Sequence, residues 1–277
     1  MIEKETFLHI VRRTGFYHRV KASWIYDLYW LLVDRKIIDD RQKEVDFYTH
    51  LLEGFHKGDL ILDIGANQGY KSDIFLRLGA QVVAVEPDDT SQEVLNQKFL
   101  QYRFKKKNFS IEKKAVSDKL TVLKMWIESP GSAKNTLSQK WADTLKSDEK
   151  RFGQKLNYEQ WREVETVTID RLISIYGRPF FVKIDVEGHE LPVLRGLHQE
   201  VPYLSFEVNL PEFRSEGMEC VKLLGSISPN STFNFIRDCQ RGLELESWLS
   251  TFEFLSVLGS CRDESIEIFW RTSISNR

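Results

Sequence analysis

Two hydrophobic rhythms divide the chain. Up to about residue 56 the apolar positions recur at helical spacing: Phe7, Ile10 and Val11 share a face, a dense stretch runs from Trp24 to Val33, and Val45, Tyr48, Leu51 and Leu52 follow. The pattern predicts an N-terminal helical cap over 1–56, closed by Gly54 and Gly58. From Asp59 onward short apolar runs take over. Leu60–Ile64, Val82–Val85, Phe180–Ile184 and Tyr203–Val208 have strand character, and three of them are separated from a neighbour by an amphipathic stretch, as in a parallel sheet with crossover helices. Tyr70, Ile74 and Leu78 recur every four residues before Gly79, which fits a left-handed C-cap. A second crossover helix is expected from Thr90 or Ser91 to about Leu100, and a third from Leu191-Pro192, with proline at the first helical position. Thr232–Ile236 and Ser265–Trp270 predict a closing antiparallel pair. The least regular part, from Ser129 to about Glu163, opens with Ser-Pro-Gly-Ser and reads as an insertion at about 129–163 in an α/β domain spanning 57–277.

The 277 residues suit one large α/β domain with an appendage, and 42% apolar with 29% charged residues is ordinary for a globular protein. With 39 basic and 41 acidic side chains the net charge is −2, so no basic field invites nucleic acid. Cys220, Cys239 and Cys261 have neither a disulfide framework's even count nor a zinc site's spacing. The acidic start lacks a signal peptide's basic region, and no apolar run approaches the roughly 18 residues of a membrane span, so no integral membrane segment and a cytoplasmic location are expected. The basic and aromatic stretch from His18 to Lys36 is read as packing on the domain in preference to lying on a membrane. Lys105, Lys106, Lys107, Lys113 and Lys114 are read as a solvated face.

The candidate chemistry begins at Asp63-Ile-Gly65-Ala-Asn67-Gln-Gly69, where a strand ends in an acid and a glycine turn leads into a helix. Such a turn presents backbone amides at the carboxyl edge of a sheet, where open α/β folds bind ligands, and glycine is expected there so that a ligand can approach. Val85-Glu86-Pro87 adds a carboxylate about 20 residues further on, placed to accept both ribose hydroxyls of a nucleoside. The third glycine of a dinucleotide fingerprint is missing, which favours S-adenosylmethionine, a ligand without a pyrophosphate. In Phe180-Phe-Val-Lys-Ile-Asp185-Val-Glu187-Gly188-His189-Glu190 a buried strand breaks into acids that either face a sulfonium and its amino group or cap the following helix.

These residues resemble the FkbM family of methyltransferases from about Leu60 to Glu207. The resemblance is carried by Leu-Asp63-Ile-Gly65-Ala-Asn67-x-Gly69-Tyr70, Val-Glu86-Pro, Ala115-Val116-Ser117-Asp118, Thr166-Val-Thr-Ile-Asp170-x-Leu172, Lys183-Ile-Asp185-Val-Glu187-Gly188-x-Glu190 and Leu194-Arg195-Gly196. It implies the class I fold, a doubly wound, mostly parallel, Rossmann-like sheet of seven strands with the last antiparallel. It also implies methyl transfer to a hydroxyl of a sugar-containing or related small molecule. Position by position it implies that Asp63, Gly65, Asn67 and Gly69 surround the methionine part of the cofactor, Glu86 the ribose, and Val116 and Ser117 the adenine, with Tyr70 and Asp185 also among the cofactor-binding residues.

A hydroxyl acceptor needs its proton removed, and Asp185, Glu187 and His189 are the candidate bases. His189 has the most suitable ordinary pKa but lies at an open position of the motif, where a loop histidine is the alternative. No metal is assigned, although Asp-x-Glu-x-His can hold a divalent cation. Trp126, Trp141 and Trp161 bracket the insertion, and Asn135 and Thr136 are candidate acceptor contacts. A non-catalytic cofactor-binding module and a methyltransferase acting on a macromolecule remain the alternatives.

Overall fold

The computed structural model describes residues 35–273, apart from 148, 150–155 and 211. The Phe7, Ile10 and Val11 face and the stretch from His18 to Val33 lie outside the described residues. The sheet is laid down by β1 (Leu60–Ile64), β2 (Gln81–Val85), β3 (Phe109–Glu112), β7 (Phe181–Ile184), β8 (Tyr203–Asn209), β9 (Thr232–Ile236), β10 (Leu249–Ser250) and β11 (Ser265–Arg271). Their order is β10-β9-β11-β8-β7-β1-β2-β3. The pairs from β8 to β3 are parallel, and β11 runs antiparallel to both β8 and β9. This is the expected class I sheet, with the two-residue β10 added as an eighth strand at the edge. β4 (Ala115–Val116), β5 (Val122–Ile127) and β6 (Gln160–Val167) form a separate small sheet in the order β4-β6-β5.

Every residue of β1 is buried, because alternate side chains feed two cores. Leu60, Leu62 and Ile64 join the core beneath α5 (Ile169–Tyr176), α6 (Glu190–Arg195), α7 (Arg214–Ile227) and α8 (Thr251–Ser260). Ile61 points to the other face, packed by α1 (Arg35–Leu51), α2 (Tyr70–Leu78) and α3 (Asp89–Lys98). Gly79 is left-handed at φ 90° and caps α2, as its position predicts. α6 starts at Glu190, earlier than expected, so Pro192 stands third in the helix; the first turn has no partner for its N–H groups, and proline fits there too. The stretch read as irregular from 129 to 163 contains α4 (Gln139–Ser147) and the first residues of β6. Among the described residues no helix is long and apolar enough to cross a membrane.

The described part of the N-terminal cap is integral to the second core. Tyr48 is fully buried, with its ring 5.2 Å from that of Phe75 and 5.8 Å from that of Phe181. Tyr48→Ala is expected to cost about 3–5 kcal/mol in urea unfolding of the full chain, and a loss below about 1 kcal/mol would show that α1 is not part of the core.

Candidate functional site

The site forms where β1, β2 and β7 end side by side. Gly65 leaves β1 at φ 78°, and a Cβ there would lie 1.8 Å from the carbonyl oxygen of Asp185. A Cβ on Gly69, at φ 75°, would lie 2.5 Å from the Phe99 ring and 2.6 Å from Leu95. Both glycines therefore admit neighbouring protein atoms. Close packing against the end of β7 and against α3 requires glycine at both positions, in addition to the ligand approach expected from the sequence.

The turn they permit positions Glu86. The Asn67 backbone N–H donates to Oε2 at 2.7 Å and the Asp88 N–H to Oε1 at 2.7 Å, with Asn67 in the left-handed region at φ 45°. Burial pushes the Glu86 carboxyl up to about 7, with its two amide donors opposing the shift. Each oxygen keeps a second lone pair. The carboxyl faces a cleft whose apolar walls include Val85, Pro87, Val116, Met125 and Leu137. Gly65, Asn67, Asp185 and Glu187 also line it. An adjoining hollow shares Gly65, Asn67 and Asp185 and extends to Asp63, Tyr70, Lys71 and Lys98. Asp63 is buried beneath the turn and accepts from Ser72 Oγ at 2.5 Å.

Residues 131–137 cross the cleft. The Gly131 carbonyl accepts from Asn67 Nδ2 and Gln68 Nε2, both at 3.3 Å. At the other end Thr136 Oγ1 donates to the Glu187 carbonyl at 2.6 Å. Asn135 Nδ2 donates to Asp88 Oδ2 at 3.3 Å, and its Oδ1 accepts from the Glu128 N–H at 2.9 Å. Trp141 is buried, and its indole N–H donates to Glu187 Oε2 at 2.9 Å; Trp161 stays half exposed on β6.

The three candidate bases have different surroundings. Burial pushes Asp185 up, but the Lys183 ammonium, 2.8 Å from Oδ2, outweighs it and holds the carboxyl below its ordinary range. Burial, with the Asp185 and Glu207 carboxylates nearby, pushes Glu187 well above its ordinary value, and its backbone is left-handed at φ 54°, uncommon for a side chain of this size. His189 stands apart: its Nε2 lies 3.1 Å from Ser117 Oγ, and burial lowers its pKa to about 4. Neither His189 nor Ser117 is among the residues lining the Glu86 cleft. Glu207 accepts from Ser265 Oγ at 2.5 Å and faces Glu267 across the β8–β11 pair; burial raises it to about 7. Among the described residues no group of acids, histidines and cysteines is arranged to hold a metal ion.

Met125, Leu137 and Pro87 were not singled out from the sequence. Pro87 was within reach, since it follows Glu86 directly. Met125 and Leu137 reach the cleft only through the pairing of β5 with β6 and the bridge between Trp126 and Thr136.

Residues 63–240 match the methyltransferase FkbM domain family. No curated protein matches the sequence. Among solved structures, the methyltransferase FkbM from Methylobacillus flagellatus is similar with a TM-score of 0.50 at 14% identity, over 82% of this chain and 47% of that one, so the chain spans about half that protein's length. A TehB-like SAM-dependent methyltransferase from Corynebacterium glutamicum gives a TM-score of 0.41 at 8% identity over 83% and 88% of the two chains. A ribosomal protein L11 methylase from Lactobacillus delbrueckii gives 0.41 at 10% identity over 85% and 80%.

The raised carboxyls carry a pH signature. Glu86, Glu190 and Glu207, ordinarily at 4.5, stand at about 7, 8 and 7 in the fold, so each holds its proton more tightly folded than unfolded. Their contribution to stability is complete below about pH 4.5 and is lost as the pH rises through these values. Urea unfolding across this range is expected to show stability falling toward pH 8, with a shallower fall in Glu190→Gln; a rise would contradict the assignment.

Proposed function

Because the chain belongs to the FkbM methyltransferase family, we propose that it transfers the methyl group of S-adenosylmethionine to a hydroxyl of a small, sugar-containing acceptor. The observation that carries the cofactor assignment is the Glu86 carboxyl. Two backbone amides fix its oxygens while a lone pair on each remains for a ribose hydroxyl. The apolar walls at Val116, Met125 and Leu137 suit an adenine face, and the neighbouring acids suit an amino group and a sulfonium, so the residues fit the cofactor.

When bound, S-adenosylmethionine supplies an electrophilic methyl carbon. The protein's part is alignment, exclusion of water and one proton transfer. Glu86 orients the nucleoside, and Val116 and Met125 flank the base. Asp185, kept ionised by Lys183, takes the amino group beside Asp63, Asn67 and Tyr70. Gly65 and Gly69 act through shape, by setting the turn. Glu187 would take the proton that an acceptor hydroxyl gives up as its oxygen gains the methyl group. Its raised pKa makes the ionised carboxylate a stronger base than an exposed one, and the Trp141 N–H holds it in place. His189, tied to Ser117, positions the loop after β7.

Calorimetric titration of S-adenosylhomocysteine is expected to give affinity that rises with pH through about 7, because only the ionised Glu86 accepts two hydroxyls. Glu86→Gln should weaken binding about 10- to 100-fold and remove that dependence, whereas unchanged affinity would place the cofactor elsewhere. In turnover assays on an acceptor panel, Glu187→Gln should lower kcat about 100-fold or more while leaving S-adenosylhomocysteine affinity intact. If His189→Gln does so instead, the base is the histidine.

A further inference from the structure

Between α3 and β3 the chain makes a π-helical turn, Tyr102–Lys106, at the edge of the sheet away from the β9–β11 end. It is pinned from beneath: Phe99 is buried, 4.5 Å from the Phe109 ring and 6.1 Å from that of Tyr102, and the Asn108 N–H closes back on the Tyr102 carbonyl at 3.1 Å. Above this base Leu100 and Phe104 are 55% and 67% exposed. One such side chain is ordinary on a protein surface, but these two sit within a charged frame. No Asp or Glu lies between Glu93 and Glu112, and that stretch contains Lys98, Arg103, Lys105, Lys106 and Lys107. Lys105, Lys106 and Lys107 are exposed and enter no ion pair among the described residues. The side chain of Lys57 lies against Gly79, beside Ala80, whose carbonyl accepts from Asn108 Nδ2 at 3.1 Å.

We propose that this turn docks on an anionic lipid bilayer, with Leu100 and Phe104 entering the interfacial layer and the lysines meeting lipid headgroups. Charge complementarity selects an anionic surface, and the apolar pair selects a lipid one. An RNA base would stack on Phe104 but find no such partner in Leu100, which would stay wet, whereas a bilayer accepts both side chains. The solvated-face reading of Lys105–Lys107 is thereby extended, because a merely solvated face does not need two exposed apolar side chains at its centre.

The full chain is tested by sedimentation with phosphatidylcholine vesicles containing about one-third phosphatidylserine, beside pure phosphatidylcholine vesicles and a single-stranded RNA oligonucleotide. Binding to the anionic vesicles alone is expected, weakening with added salt. It should fall at least about tenfold in K105E/K106E/K107E and in L100S/F104S, both keeping the wild-type thermal melting profile. Three results would overturn the proposal: no vesicle binding by the wild type, binding that survives both well-folded variants and so originates elsewhere on the chain, or a preference for the RNA.

Discussion

A carbonyl oxygen, that of Asp185, occupies the space in which any side chain on residue 65 would have to begin. This contact lets β1 and β7 end at the same level, and the rest of the site follows from it. With the strands closed, the turn after β1 brings the Asn67 amide onto the Glu86 carboxyl, and β7 delivers Asp185 and Glu187 to the same cleft. The second glycine extends the arrangement outward by letting Phe99 and Leu95 pack under the start of α2. Geometry that looks made for a ligand is first a solution to packing backbone against backbone and ring.

The charges are placed at considerable cost. Glu86, Glu187, Glu190 and Glu207 are all largely withdrawn from water, and burial raises every one of them. Asp185, among these acids, is held low because Lys183 near the end of β7 pairs with it. Carboxyls of two kinds therefore share one edge of the sheet: Asp185, anionic at neutral pH, and Glu86, Glu190 and Glu207, which hold protons into the neutral range. Such divergence is what separates binding groups from proton-transfer groups.

Much of this was legible because it is local. β1 and β9 match their apolar runs residue for residue, Gly79 marked its helix end, and Asp63, Gly65, Gly69, Glu86 and Asp185 were all singled out by position relative to a strand end. What was not legible depends on partners distant in the chain. The glycines' packing role needs Asp185 and Phe99 in place, Met125 and Leu137 need the small sheet, and the separation of His189 from the cleft needs Ser117, which is 72 residues away. β10 is too short to carry any periodicity. The early start of α6 is a subtler case, since proline is tolerated anywhere in a first turn and so marks the region without fixing the residue.

The span of residues over the cleft is tied to what lies beneath it. It is fastened at Gly131 to Asn67 and Gln68, and at Thr136 to Glu187. Asn67, whose side chain holds the first fastening, is also the residue whose amide steadies the Glu86 carboxyl. Residues 131–137 and the carboxyl beneath them thus hang from a common anchor, so a change that frees the span also disturbs the carboxyl.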